Sequence, residues 1–115
     1  MKQLKDYQFI SELEKDVLER CRDAVKRIDA DAEIILYGSR ARGDAEPESD
    51  YDLLILTDEE ATLEREDVFR RQLFAIELET GTVLTVIQLG RKNWISPLYS
   101  TMPLYQNIKR EGIIL

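Results

Sequence analysis

Apolar and polar positions along the chain follow two rhythms, and each predicts its own elements. Within residues 4–29, Ile10, Leu13, Val17, Cys21, Ala24 and Ile28 recur at spacings of three and four. That spacing predicts a helix with one apolar stripe turned inward. The intervening Lys, Arg, Asp and Glu make a solvated face, and Cys21, inside the stripe, reads as core rather than as a reactive thiol. The run Glu33-Ile-Ile-Leu-Tyr37 is short, apolar and rich in strand formers, and it stops at Gly38. Residues 51–57 predict a second strand, with Tyr51, Leu53 and Ile55 on one side and Asp52, Leu54 and Leu56 on the other. A helix capped by Thr57 or Asp58 follows, with Glu59 and Glu60 in its positive first turn. It buries Phe69, Leu73 and Ile76 and ends at Gly81. Residues 82–89, rich in β-branched side chains, predict a third strand. The stretch 90–100 reads as irregular. Thr101 is expected to cap a last helix, with Pro103 in its first turn, Lys109 and Arg110 in its last and Gly112 beyond it. Ile113-Ile-Leu115 adds a short strand. The order predicts an α/β fold: one domain over residues 1–115, with a small mixed sheet of three or four strands flanked by helices.

Composition narrows the chemistry. The chain has 115 residues, 43% hydrophobic and 34% charged, which fits a single globular core. It has no histidine, which excludes His-based triads, His metal sites and imidazole general bases. One cysteine excludes an internal disulfide and a multi-Cys zinc site, and suits a reducing compartment. No apolar run approaches a membrane span, and Met1-Lys-Gln-Leu-Lys lacks the apolar stretch of a secretory signal. A cytoplasmic location and no membrane partner are therefore expected. The formal charge of −7 argues against tracking a long nucleic-acid backbone. That charge is local, however. Residues 44–67 hold 11 acidic side chains and one basic, Arg65, whereas the remainder holds 12 acidic and 15 basic. A metal-chelated triphosphate stays compatible with such a distribution.

The chemistry-bearing stretch lies between the first two predicted strands. Gly38-Ser39 ends a strand and opens a short helical turn through Arg42, closed by Gly43. Outward N–H groups there favour an anion, glycine allows a phosphate to approach the backbone, and a serine hydroxyl adds a donor. The spacing is not that of a Walker A loop. Ten residues separate Ser39 from Asp50, and Asp50 and Asp52 flank Tyr51. Side chains at i and i+2 of a strand share a face, so these carboxylates converge and repel unless a cation lies between them. Hard oxygen ligands with positions left for phosphate suit Mg2+. A phosphate cradle beside a dicarboxylate predicts phosphoryl or nucleotidyl transfer. Taken singly, a Gly-Ser is a turn and an Asp-x-Asp a solvated strand edge. Together at this spacing they arise by chance in roughly one or two chains per thousand of this length.

This Gly-Ser-x10-Asp-x-Asp arrangement resembles the signature of the DNA polymerase β-like nucleotidyltransferase superfamily. The form Gly38-Ser-Arg-Ala-Arg-Gly43…Ser49-Asp-Tyr-Asp-Leu53 looks like its minimal nucleotidyltransferase (MNT) branch. The likeness extends from the leading helix to the closing Asn107-Ile-Lys-Arg-Glu-Gly-Ile-Ile114. It implies that Gly38 and Ser39 hold the triphosphate of an NTP, and that Asp50 and Asp52 bind one or two Mg2+ ions. Arg40 and Arg42 would either neutralise phosphate or solvate the loop; Ser49 reads as a turn former. The resemblance further implies transfer of an NMP to an acceptor hydroxyl. MNT proteins commonly pair with a helical HEPN-type protein in bacterial toxin–antitoxin modules, so a HEPN-like partner is implied as well.

The sequence also departs from that pattern. Active members of the superfamily usually carry a third carboxylate on the third strand. Residues 82–89 have none, and Thr85 stands at the expected position. Glu77 and Glu79 could substitute, or could face solvent. The alternative is thus a catalytically impaired pseudoenzyme that acts as a nucleotide-binding or protein-interaction module. Trp94, Tyr99 and Tyr105 could stack on a base or close the core. Arg91-Lys92 reads as a strand-end cap, and Glu59, Glu60, Glu64, Glu66 and Asp67 as a solvated helix face.

Overall fold

A computed structural model of the chain describes residues 1–8 and 11–115. Its first long helix, α1, covers Glu12–Ile28, and Ser11 caps it by accepting the Glu14 N–H at 3.2 Å. A side-chain acceptor there satisfies one of the donors that a helix start leaves unpaired. The helix therefore begins later than the periodicity predicts. Ahead of it lie a two-residue strand β1, Lys2–Gln3, and a 3-10 turn, Leu4–Asp6. Ile10 falls outside the described residues. Val17, Leu18, Cys21, Ala24 and Val25 make the buried stripe. Leu13, expected within it, is 69% exposed, because the first turn overhangs a groove that Leu13 lines with Ala45, Pro47 and Thr82.

The strand β2 covers Glu33–Tyr37 and β3 covers Tyr51–Thr57, both as the sequence predicts. Between them lies a short helix α2, Ser39–Arg42. The next helix, α3, covers Leu63–Thr80 and is capped by Thr62, which accepts the Arg65 N–H at 3.1 Å. Thr57 does not cap it. That side chain is buried at the end of β3 and donates to the Glu59 carbonyl, so Glu59 and Glu60 belong to a loop. Gly81 ends α3 in the left-handed conformation. Strand β4 covers Leu84–Gly90. Residues 90–100 are not wholly irregular, since they include two one-turn helices, α4 (Arg91–Trp94) and α5 (Pro97–Ser100). Helix α6 covers Pro103–Glu111 and β5 covers Ile113–Ile114. Thr101 does not cap α6; its hydroxyl donates to the Leu98 carbonyl, and Met102 occupies the cap position.

Among the described residues the sheet has five strands in the order β1-β5-β2-β3-β4, against the three or four expected. It is mixed: β2 runs antiparallel to β3 and β5, while β3–β4 and β1–β5 are parallel. Helix α3 makes the crossover that a parallel β3–β4 pair requires. One face carries Ile34, Leu36, Leu53 and Ile55 under α1 and α3, with Phe69, Leu73 and Ile76 reaching in from α3. The other carries Ile35, Leu54, Leu56 and Leu89 under Trp94 and Ile108. Central strands covered on both sides read as continuous apolar runs, as β2 and β3 do. Asp52 is the charged exception in β3, on the second face. No helix among the described residues is long and apolar enough to cross a membrane.

Candidate active site

Gly38 takes φ 78° and ψ −158°, a region open essentially to glycine alone. Contact makes the same demand. A Cβ built there would lie 2.3 Å from Asp52 Oδ2 and 3.2 Å from its Cγ. The Gly38 backbone thus lies directly against the Asp52 carboxylate, because the antiparallel register sets Tyr37 opposite Asp52. Helix α2 then turns once and closes at Gly43, whose φ of 81° is left-handed. Glycine and aspartate, distant in sequence, touch because β2 and β3 are neighbours.

Asp50 lies exposed just before β3, and Asp52, the second residue of β3, is half-buried. Burial raises the Asp52 proton affinity above the ordinary carboxylate range. The Asp50 charge raises it further, Arg42 lowers it, and Glu111 raises it. The two aspartates are therefore close enough to repel, which is the electrostatic condition that a divalent cation relieves. Thr85 stands beside Asp52 in the parallel β3–β4 register and is exposed. Among the described residues no group of three or more His, Cys, Asp or Glu is arranged to hold a metal ion. A two-carboxylate donor set still fits Mg2+, which keeps several waters and takes its remaining ligands from phosphate.

The other side chains singled out in the sequence divide clearly. Arg42 is exposed and reaches Asp44 Oδ2 at 3.2 Å and the Glu111 carboxylate at 3.2 and 3.3 Å. Arg40 turns the opposite way. It is 8% exposed, donates to the Ser49 and Pro47 carbonyls and to Glu14, and lies 4.1 Å over the Tyr51 ring. Tyr51 and Asp52 occupy opposite faces of β3, so the Arg40 guanidinium lies behind the sheet from Asp52. Neither role expected for it, phosphate neutraliser or solvated loop residue, describes that placement. It clamps the 43–50 loop that delivers Asp50. Ser49 closes a turn in this loop, accepting the Glu46 N–H at 2.9 Å.

Glu77 accepts the Leu84 N–H and Glu79 pairs with Arg20, so both are engaged at α3, on the face away from Asp52. Trp94, Tyr99 and Tyr105 pack edge to face, with ring centroids 6.0 Å (Trp94–Tyr105) and 5.2 Å (Tyr99–Tyr105) apart, and close the second core. Arg91 ties the ends of several elements together through Glu33, Asp58 and the Asp31 carbonyl.

Two neighbours of the site were not singled out in the sequence. Tyr37, at the end of β2, is buried, and its hydroxyl is pushed up to about 12 by burial, then by Asp52 and Tyr105. Glu111, the last residue of α6, accepts the Gly38 N–H at 3.0 Å. Its signal lies in strand pairing. Leu36 pairs with Ile113, and continuing that antiparallel register by two residues sets Gly38 opposite Glu111.

The chain matches the family model described as "Nucleotidyltransferase domain" over residues 18–101, which includes both motif halves. It is 43% identical over 56 residues to a Methanocaldococcus jannaschii protein named "Putative protein adenylyltransferase". That match spans 49% of this chain and about half (50%) of the relative's length. A solved structure described as "Structure of putative minimal nucleotidyltransferase" superposes with a TM-score of 0.57 at 24% identity, covering 91% of this chain and 97% of that one, and it shares the fold. The matched segment, the Gly38–Asp52 contact and the sheet that creates it agree, and the chain belongs to the nucleotidyltransferase domain family.

Proposed function

We propose that this domain transfers a nucleoside monophosphate from a Mg2+-bound NTP to an acceptor hydroxyl. The observation that carries the reading is the direct contact of the Gly38 turn with Asp52, beside Asp50. Asp50 and Asp52 would hold the metal; Gly38, Ser39 and Arg42 would hold the phosphates. When bound, Mg2+ would supply charge neutralisation on the phosphate oxygens and fix their orientation. Gly38 brings the backbone close to that charge, and Arg40 fixes the loop that carries Asp50. The protein-modifying name of the M. jannaschii relative supports an acceptor on a protein. Resemblance to the MNT branch supports a HEPN-like partner as that acceptor, and a cytoplasmic setting in which the pair acts.

One observation favours a second reading, a nucleotide-binding pseudoenzyme. Thr85 stands beside Asp52 where active relatives carry a carboxylate, and threonine is a poor metal ligand and no base. Incubation with each α-labelled NTP and a co-expressed HEPN-like partner distinguishes the two. Transfer predicts Mg2+-dependent label on the partner, lost in Asp50→Asn. Binding of Mg-NTP without label on any acceptor supports the pseudoenzyme. Absence of both overturns the site itself.

A further inference from the structure

The groups assigned to phosphate already hold an anion. Glu111 accepts the Gly38 N–H at 3.0 Å and the Arg42 Nη1 donor at 3.2 and 3.3 Å, and its side chain is only 13% exposed. Its position on α6 is unfavourable taken alone. A carboxylate in the last turn of a helix faces the negative end of the helix dipole. Its charge also bears on Asp52, which already feels the charge of Asp50. The donors it gains from the Gly38 turn offset those costs, and a charge-assisted bond is among the stronger contacts available.

We propose that Glu111 is an internal anion that occupies the phosphate seat of the resting domain and gives up Gly38 and Arg42 when a metal-chelated triphosphate binds. It is then a specificity-determining residue. Any entering anion must displace a carboxylate and lie beside two more. A triphosphate that brings a divalent cation offsets the repulsion from Asp50 and Asp52, whereas free phosphate or free NTP does not. Glu111 also gives the Gly38 N–H a partner before the ligand arrives. This inference rests on the proposed nucleotide site and assigns its resting state.

Calorimetric titration of the wild-type chain, Glu111→Gln and Glu111→Ala with each of the four NTPs, with and without Mg2+, tests it. Removing the charged competitor is expected to tighten Mg-NTP binding by about tenfold, the worth of one charge-assisted bond. Free NTP should still bind more weakly than Mg-NTP in every chain, because Asp50 and Asp52 remain to repel it. Glu111→Gln keeps the size and an acceptor for Gly38, so it preserves the fold should Glu111→Ala fail to, and circular dichroism checks both. Equal or weaker Mg-NTP binding by a folded variant overturns the proposal while leaving the nucleotide site standing. Absence of Mg2+-dependent binding by all three chains overturns both.

Discussion

Replacing Gly38 with alanine perturbs the site at one atom. The residue sits at φ 78° and ψ −158°, where a side chain costs about 1–3 kcal/mol of backbone strain. Unfolding entropy of about 2.1 cal/mol/K per residue, over 115 residues, makes 1 kcal/mol worth about 4 °C in Tm. The strain alone then lowers Tm by about 4–12 °C. The new Cβ would also fall 2.3 Å from Asp52 Oδ2, so the carboxylate must swing away. Gly81→Ala is the control. Gly81 has φ 71°, and a Cβ added there would meet nothing within 4 Å, so its cost should stop at about 1 kcal/mol, or about 4 °C. Repeating Gly38→Ala in an Asp52→Ala background removes the clash and leaves the strain. The two substitutions should therefore couple by at least about 0.5 kcal/mol. Differential scanning calorimetry of the four Gly38/Asp52 combinations and of Gly81→Ala reads all these quantities. A Gly38→Ala chain that melts with wild type, or costs the same in both backgrounds, refutes the contact.

Four further outcomes follow from the same geometry. Asp52 binds its proton more tightly folded than unfolded, so it contributes stability below its ordinary value of 3.8 that is lost as pH rises through its folded value. Asp52→Asn should therefore raise the Tm of the metal-free chain at pH 7. It should also abolish the stabilisation of about 2.7 kcal/mol, or about 11 °C, expected of wild type at Mg-NTP a hundredfold above Kd; thermal melts with and without ligand measure both signs. Arg40→Met should cost about 3 kcal/mol and speed proteolysis within residues 44–49, because it strips the loop of a buried clamp; limited digestion with mass readout checks this. Phe69→Ala should cost about 3–5 kcal/mol, since that ring is fully buried, and chemical denaturation with an unchanged m-value would show it. Cys21, inside α1, has its thiol pushed up to about 12 by burial, so it should resist a thiol reagent at pH 8 until denaturant exposes it.

Much of this was legible in sequence because the signals were local. The strand residues of β2 and β3 are apolar on both faces and bounded by Gly38 and by the acidic loop, so their extents came out correctly. Gly81 and Pro103 are local punctuation, and they end and begin helices where expected. Errors arose where two local solutions compete. Thr57, Asp58 and Thr62 can each cap a helix, and burial of Thr57 beside Gln88 decides in favour of Thr62. A two-residue strand such as β1 has no pattern to read and exists only through its pairing with β5. In the candidate site, spacing pointed to Gly38, Ser39, Asp50 and Asp52, and of these the fold brings Gly38 against Asp52. Spacing could not say on which side of the sheet a side chain of the α2 turn would leave, and Arg40 and Arg42 leave on opposite sides. Glu111 was hidden because its tie to Gly38 depends on β5 lying next to β2, a neighbour relation between chain ends.

Manganese, which accepts the same oxygen ligands as Mg2+, would locate the metal directly. In an amide-resolved NMR titration with Mn2+ and NTP, the account predicts that the signals of Gly38, Ser39, Asp50, Tyr51, Asp52 and Thr85 broaden first. In Asp50→Asn and Asp52→Asn that pattern should be lost. Broadening centred elsewhere, or undiminished in both variants, would contradict the assignment of the site.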